Sequence, residues 1–197
     1  MIKNKLQKAI ISVAFIATSL VASDSSTNSL VGIEGGYSSV GYENTTTPNQ
    51  YTAGIGQLGL KLGAESKDYR VFLSGRYLVS GDGTFDYIAA YGGELQYKFN
   101  ISKAFDLFIG VNGGVASMKF TAEGETASRT ISDPFVGGDL GANIHLGKTT
   151  DLEFGGRVLS IQATNDKPAA SYLVGNMFTG YASLILNGKW TDRKSVV

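Results

Sequence analysis

From Tyr87 to Phe99 the chain alternates without interruption. Tyr87, Ala89, Tyr91, Gly93, Leu95, Tyr97 and Phe99 fall on one parity, and Ile88, Ala90, Gly92, Glu94, Gln96 and Lys98 fall on the other. A period of two sends successive side chains to opposite sides of an extended backbone, so this segment must be a strand with one greasy and one polar face. Seven further segments repeat the pattern, making eight in all. No segment carries a convincing helical period, so no helix is expected after the N-terminal region.

The first strand is read over Ser29–Tyr42, with Val31, Ile33, Gly35 and Tyr37 opposite Glu34 and Ser38. The second, Tyr51–Ala64, changes phase once: Tyr51, Ala53 and Ile55 give way to Leu58, Leu60, Leu62 and Ala64, with Lys61 opposite. A glycine bulge near Gly54–Gly59 is the expected cause. The third, Tyr69–Ser80, opposes Tyr69, Val71, Leu73, Tyr77 and Val79 to Arg70, Ser74 and Arg76. Tyr87–Phe99 is the fourth. The fifth, Phe105–Met118, sets Leu107, Ile109 and Val111 against Asp106 and Asn112, and the sixth, Phe135–Gly147, sets Val136, Leu140 and Ile144 against Asp139, Asn143 and His145. The seventh, Asp151–Ala163, opposes Leu152, Phe154 and Val158 to Glu153 and Arg157 and blurs after Leu159. The eighth, Tyr172–Trp190, opposes Phe178, Ala182, Leu184, Leu186 and Trp190 to Thr179, Tyr181, Ser183, Asn187 and Lys189.

The connections alternate in length. Glu65–Asp68, Asn100–Ala104 and Lys148–Thr150 are tight and polar, whereas Glu43–Gln50, Lys119–Pro134 and Thr164–Ser171 are longer, and Gly81–Asp86 is intermediate. Long alternating strands joined by short turns at one end and longer loops at the other are the signature of an outer-membrane β-barrel. The expected fold is therefore an all-β, eight-stranded, antiparallel up-and-down transmembrane barrel. Glycine is abundant at 26 residues and proline rare at 3, which suits strands coiling around a narrow barrel.

The ends define the expected organisation. Lys3, Lys5 and Lys8 precede the apolar run Ala9–Ala22, and Val21-Ala22-Ser23 offers the small residues of a signal-peptidase site. That run is too short to span a bilayer comfortably. Residues 1–23 are read as a cleaved signal peptide, 24–190 as the barrel and 191–197 as a short periplasmic tail.

A soluble barrel also alternates, with its apolar face inward. Three features favour the opposite orientation. The first is aromatic residues at two levels of the apolar face: Tyr69, Tyr97, Phe99, Phe105 and Trp190 near the tight turns, and Tyr37, Tyr77, Tyr87, Tyr91, Phe135 and Tyr172 toward the long loops. These match the girdles found at membrane interfaces. The second is a polar face with too few charges for a water-exposed surface, mixed with Gly, Ala, Ser and Asn. The third is near-cancellation of those charges, with Glu34, Glu94, Asp106, Asp139 and Glu153 against Lys61, Arg70, Arg76, Lys98, Arg157 and Lys189. A narrow lumen demands this if every buried charge is to be paired. Arg70, Arg76, Glu94 and Lys98, on neighbouring strands, are expected to face one another.

On these residues the chain resembles the small eight-stranded outer-membrane barrels: the transmembrane domain of OmpA-like proteins and the OmpX-like and Opa-like barrels. The resemblance covers Asp24–Trp190. It implies residence in the outer membrane of a Gram-negative bacterium, contact with lipid and lipopolysaccharide, and insertion by the barrel-assembly machinery, with Trp190 behind Leu186 and Leu184 resembling the assembly signal. An even strand count places both termini in the periplasm and the longer loops outside the cell.

Other motifs carry little. Gly54-Ile55-Gly56-Gln57-Leu58-Gly59 matches a dinucleotide-binding pattern literally, but strand flanks it on both sides, with no helix to receive a pyrophosphate. His145 is the sole histidine and cysteine is absent, so neither a multi-histidine nor a thiolate metal site is available. Balanced charge, 17 basic against 17 acidic residues, argues against nucleic acid. The expectation is a monomeric, non-enzymatic barrel without cofactor, with a structural or surface-interaction role through its external loops. A small porin-like pore is the alternative, and a lipid-modifying enzyme using His145 the third reading.

Overall fold

The structure, a computed structural model, describes residues 27–44, 50–80, 86–121, 128–161 and 172–189. The expected signal segment, the tail after 190, Trp190 and the tips of the longer loops lie outside these residues, as does the side chain of Tyr172. The alternating segments form β1 (Asn28–Asn44), β2 (Gln50–Glu65), β3 (Tyr69–Ser80), β4 (Tyr87–Asn100), β5 (Phe105–Thr121), β6 (Ser128–His145), β7 (Thr150–Ile161) and β8 (Tyr172–Lys189). Each strand pairs antiparallel with the next, and β8 closes on β1. Closure satisfies the backbone ladder on both sides of every strand, which a sheet in lipid requires. Among the described residues there is no helix.

The three tight connections are each tied to the strand after the one they lead into. Ser66 N donates to Tyr69 O at 2.8 Å and Ser102 N to Phe105 O at 3.0 Å, closing their turns. The carbonyls of Asp68, Ala104 and Thr149 then accept from Lys98, His145 and Asn187 N at 2.8, 2.9 and 2.8 Å, tying each turn to a following strand.

Four details differ from the sequence reading. β2 has no bulge: its register against both β1 and β3 runs without a shift. Ala53, Ile55, Gln57 and Lys61 all point inward while Leu58, Leu60 and Leu62 point outward. The change of phase in the sequence is a change in what the interior is made of. The register shift lies in β8, where Gly175 and Asn176 are both exposed and oppose the single residue Gly41 of β1. β6 begins at Ser128, so most of Lys119–Pro134 is a hairpin extension, paired from Val115–Pro134 up to Thr121–Ser128. Pro134 pairs with Val115 of β5 and lies one residue beyond Phe135–Ile161, the last described pair of β6 with β7. Finally, β7 does not blur after Leu159: Leu159 and Ile161 continue the inward parity at 0% and 4% exposure.

The outer face is apolar along its whole height, with Leu58, Leu60, Leu73, Leu140 and Ile33 more than half exposed. Tyr69 and Tyr97 meet edge-on at 5.2 Å and Tyr97 meets Phe99 at 4.9 Å near the tight turns, while Tyr77 stacks on Tyr87 at 5.4 Å toward the other end. Tyr37 and Tyr91 are also exposed, and Phe105 is partly so. Phe135 corrects the expected girdle. It is 4% exposed and belongs to an interior apolar cluster, because its parity is opposite to that of Val136.

Candidate functional site in the barrel interior

The inward parity of the strands builds two storeys. Toward the tight turns and through mid-height the interior is charged. Toward the longer loops it is mostly apolar, filled by residues such as Val40, Ile55, Leu78, Ile88, Leu159 and Met177, each at most 1% exposed, with Asp133 buried among them at 3%. Of the eleven charged residues expected in the lumen, Glu34, Lys61, Arg70, Arg76, Glu94, Lys98, Asp106, Asp139, Glu153 and Arg157 are inside at no more than 5% exposure, and the side chain of Lys189 lies outside the described residues.

Glu34, on β1, is the hub at mid-height. Its carboxylate accepts from Gln57 Nε2 at 2.8 Å, Arg76 Nε at 3.2 Å and Arg157 Nη1 at 2.9 Å, with Lys61 Nζ 3.0 Å away. Glu94 stands opposite and takes Arg76 Nη2 at 2.6 Å, Arg157 Nη2 at 3.2 Å and Gln96 Nε2 at 2.8 Å. Lys61 crosses the lumen to Glu153 at 2.7 Å, and Tyr181 lies beneath two of the cations, 4.7 Å from Lys61 Nζ and 4.3 Å from the Arg157 guanidinium carbon. Desolvated ions of this kind persist only when their partners and remaining hydrogen bonds are supplied by the fold.

Nearer the tight turns a second cluster forms. Arg70 meets Glu65, and its Nη2 meets Asp151 at 2.6 Å; Lys98 meets Glu65 at 3.2 Å. His145 is held between two carboxylates, Nδ1 at 2.7 Å from Asp151 and Nε2 at 3.0 Å from Asp106. Arg70, Arg76, Glu94 and Lys98 thus do not gather as one group. Arg76 and Glu94 join at mid-height, while Arg70 and Lys98 converge on Glu65. Glu65 and Asp151 are members that the expected set omitted, because they stand at strand ends.

The lumen is narrow, and ladder partners share it by size. Tyr181 faces Gly155 across β8 and β7, and a Cβ on Gly155 would stand 2.5 Å from the phenol ring. Phe72 faces Gly63 in the same manner. Each large ring occupies the space its neighbour gives up, which is how eight strands enclose a filled interior. Asn112, Asn143 and Ser74 keep buried polar side-chain atoms with no protein hydrogen-bond partner.

The dinucleotide-like glycine run lies in mid-β2, between β1 and β3. Tyr37 lies across Gly54 there, so the glycine makes room for an aromatic ring on the outer face.

A family model described as outer membrane protein beta-barrel domain matches residues 10–179. The crystal structure of Neisserial surface protein A superposes with a TM-score of 0.61 at 14% identity, covering 82% of this chain and 97% of that one. Ail, the attachment invasion locus protein of Yersinia pestis, gives 0.49 at 12% identity, covering 80% and 97%. The N-terminal beta-barrel domain of Pseudomonas aeruginosa OprF gives 0.44 at 11%, covering 80% and 96%. The likeness to the Neisserial protein is one of fold. No curated protein sequence matches the chain.

Proposed function

The chain belongs to the outer membrane protein beta-barrel domain family, and on that premise we propose that it is a non-conducting outer-membrane barrel whose filled interior makes a rigid stand for surface loops. The observation that carries this reading is the stacking of an ion-paired storey and an apolar storey in one lumen. An ion entering the charged storey meets competing fixed charges, and one that passed them meets Leu78, Leu159 and Met177, which offer no oxygen to replace its water, with Asp133 the buried carboxylate at that level. Residues 1–23 act as a cleaved signal in this reading, Trp190 as part of the assembly signal, and the tight turns and residues 191–197 face the periplasm. The loops opposite are then the surface offered to host molecules, phage or neighbouring cells, with lipopolysaccharide around the outer half. In this reading the role is not catalytic, and His145 is a structural group held between two carboxylates.

A pore is the second reading, favoured by the unpartnered polar atoms of the charged storey, atoms of the kind that buried water serves. Planar-bilayer recording separates the two. Refolded wild type and Arg76→Ala are both expected to be silent, because the apolar storey remains shut in the variant. Discrete ion-selective steps from wild type would overturn the proposal. Steps from Arg76→Ala alone would show that the ion pairs, not the apolar storey, close the barrel. Turnover of lipopolysaccharide acyl chains that disappears in His145→Ala would instead identify an enzyme.

A further inference from the structure

His145 ends β6 at the mouth of the barrel that carries the tight turns, and its imidazole lies between two acids. Nδ1 is 2.7 Å from Asp151 Oδ1 on β7, and Nε2 is 3.0 Å from Asp106 Oδ2 on β5. The His145 amide donates to Ala104 O at 2.9 Å, so the backbone beneath the ring is tied to the neighbouring turn. Asp151 is engaged on its other oxygen too, where Oδ2 accepts from Arg70 Nη2 at 2.6 Å and Asn187 Nδ2 at 3.1 Å. Asp106 is 3% exposed and meets the His145 ring. The ring itself is 25% exposed, so water can bring or remove a proton.

The other charged groups around this mouth are occupied with one another. Glu65 on β2 takes Arg70 of β3 and, at 3.2 Å, Lys98 of β4, while Glu153 on β7 lies 3.6 Å from Arg70. Lys67, Asp68, Lys103 and Lys148 stand on the turns. The two contacts of His145 then set a condition on its protons. A carboxylate accepts hydrogen bonds and donates none, whereas a neutral imidazole has a single N–H. Whichever nitrogen were bare would aim its lone pair at a carboxylate oxygen no more than 3.0 Å away. The doubly protonated ring serves both acids, and each of its hydrogen bonds is then charge-assisted.

We propose that His145 is a proton-operated latch: as imidazolium it fastens Asp106 and Asp151 together at the ends of β5, β6 and β7, and loss of one proton releases one of the two acids. Through Asp151 the tie extends to Arg70 on β3 and Asn187 on β8. The sign follows from linkage. The folded barrel favours the charged ring, so the stabilisation is present at lower pH and is lost as pH rises through the titration of the ring. The latch works the same way whether or not the barrel conducts, and whichever compartment this mouth faces.

The test is urea unfolding of untagged protein from lipid vesicles, from about pH 6 to about pH 9, the range in which histidine titrates. Ring NMR of the same protein in detergent reads the protons directly, because His145 is the only histidine in the chain. At neutral pH both ring nitrogens should be protonated. Across the range the unfolding constant of wild type should rise by about tenfold or more, the worth of one charge-assisted hydrogen bond. His145→Gln, which cannot titrate, should show no such rise. Asp106→Asn should flatten it, because the amide accepts from a charged ring and donates to a neutral one. A neutral ring at neutral pH, no rise in wild type, or an equal rise in His145→Gln would each sink the proposal. Should His145→Gln not refold, a rise kept in full by Asp106→Asn is decisive against it.

Discussion

Glu34 shows what a single buried side chain does in a lumen this narrow. It meets Lys61, Arg76 and Arg157 at 3.0, 3.2 and 2.9 Å, so removing it takes one carboxylate from each of three buried cations and leaves them to share Glu94 and Glu153. Glu34→Ala is expected to destabilise the barrel by about 3–5 kcal/mol in urea titration from lipid vesicles. A loss under 1 kcal/mol would mean that the pairs are not needed to hold the fold. The glycines make a second residue-scale contrast. Gly155→Val would drive its side chain into Tyr181, whereas Gly156→Ala places a methyl on the outer face with no atom within 4 Å. The first should cost about 1–3 kcal/mol, and the second should be neutral or stabilising by about 0.4–1 kcal/mol, measured the same way. Parity alone marks which glycine faces in. That Tyr181 is the ring above Gly155 comes from the β7–β8 register.

At the scale of the element, the irregularity of β8 can be removed without turning the strand over. Gly175 and Asn176 are consecutive outward residues, and Met177 and Val174 flank them inward. Deleting Gly175 therefore keeps Val174 opposite Tyr42 and restores plain alternation. The deletion variant should fold with the heat-dependent electrophoretic shift of wild type, whereas deleting Leu184, inside an unbroken ladder, should abolish it, because a one-residue slip reverses every side chain beyond it. The β2 misreading and the β8 bulge have one explanation. Ala53 and Ile55 are apolar yet inward, so a pattern that equates apolar with outward registers a slip where none exists. Phe135 was assigned to the wrong face for the same reason. Strand existence was legible because alternation is local, and β3 begins and ends where the pattern does.

The whole molecule presents apolar side chains around its circumference, Leu58 being 74% and Leu140 65% exposed. Without detergent or lipid, barrel lacking residues 1–23 is expected to aggregate, and a monodisperse species in plain buffer, seen by light scattering, would contradict membrane residence. The absence of cysteine makes topology directly readable, since each introduced thiol is unique. On intact cells a membrane-impermeant maleimide should label Ser128→Cys, on the hairpin of the longer loops, and should spare Lys103→Cys, in a tight turn. The reverse labelling would invert the proposed orientation. The charged residues of the lumen were legible as a set, since isolated charges on one parity of a lipid-facing strand have nowhere else to go. Their partners were not. Lys61 and Glu153 are separated by 92 positions and meet only across the closed lumen.

The sequence by itself determined the strands, their unlike faces and the greasy exterior, because alternation and turn chemistry act over a few residues and need no distant partner. Only the tertiary structure decided which charges meet and where the interior turns from ionic to apolar. Those outcomes depend on how far long side chains reach across a ring of strands, a distance fixed by closure and by ladder register, and neither is written in any one segment.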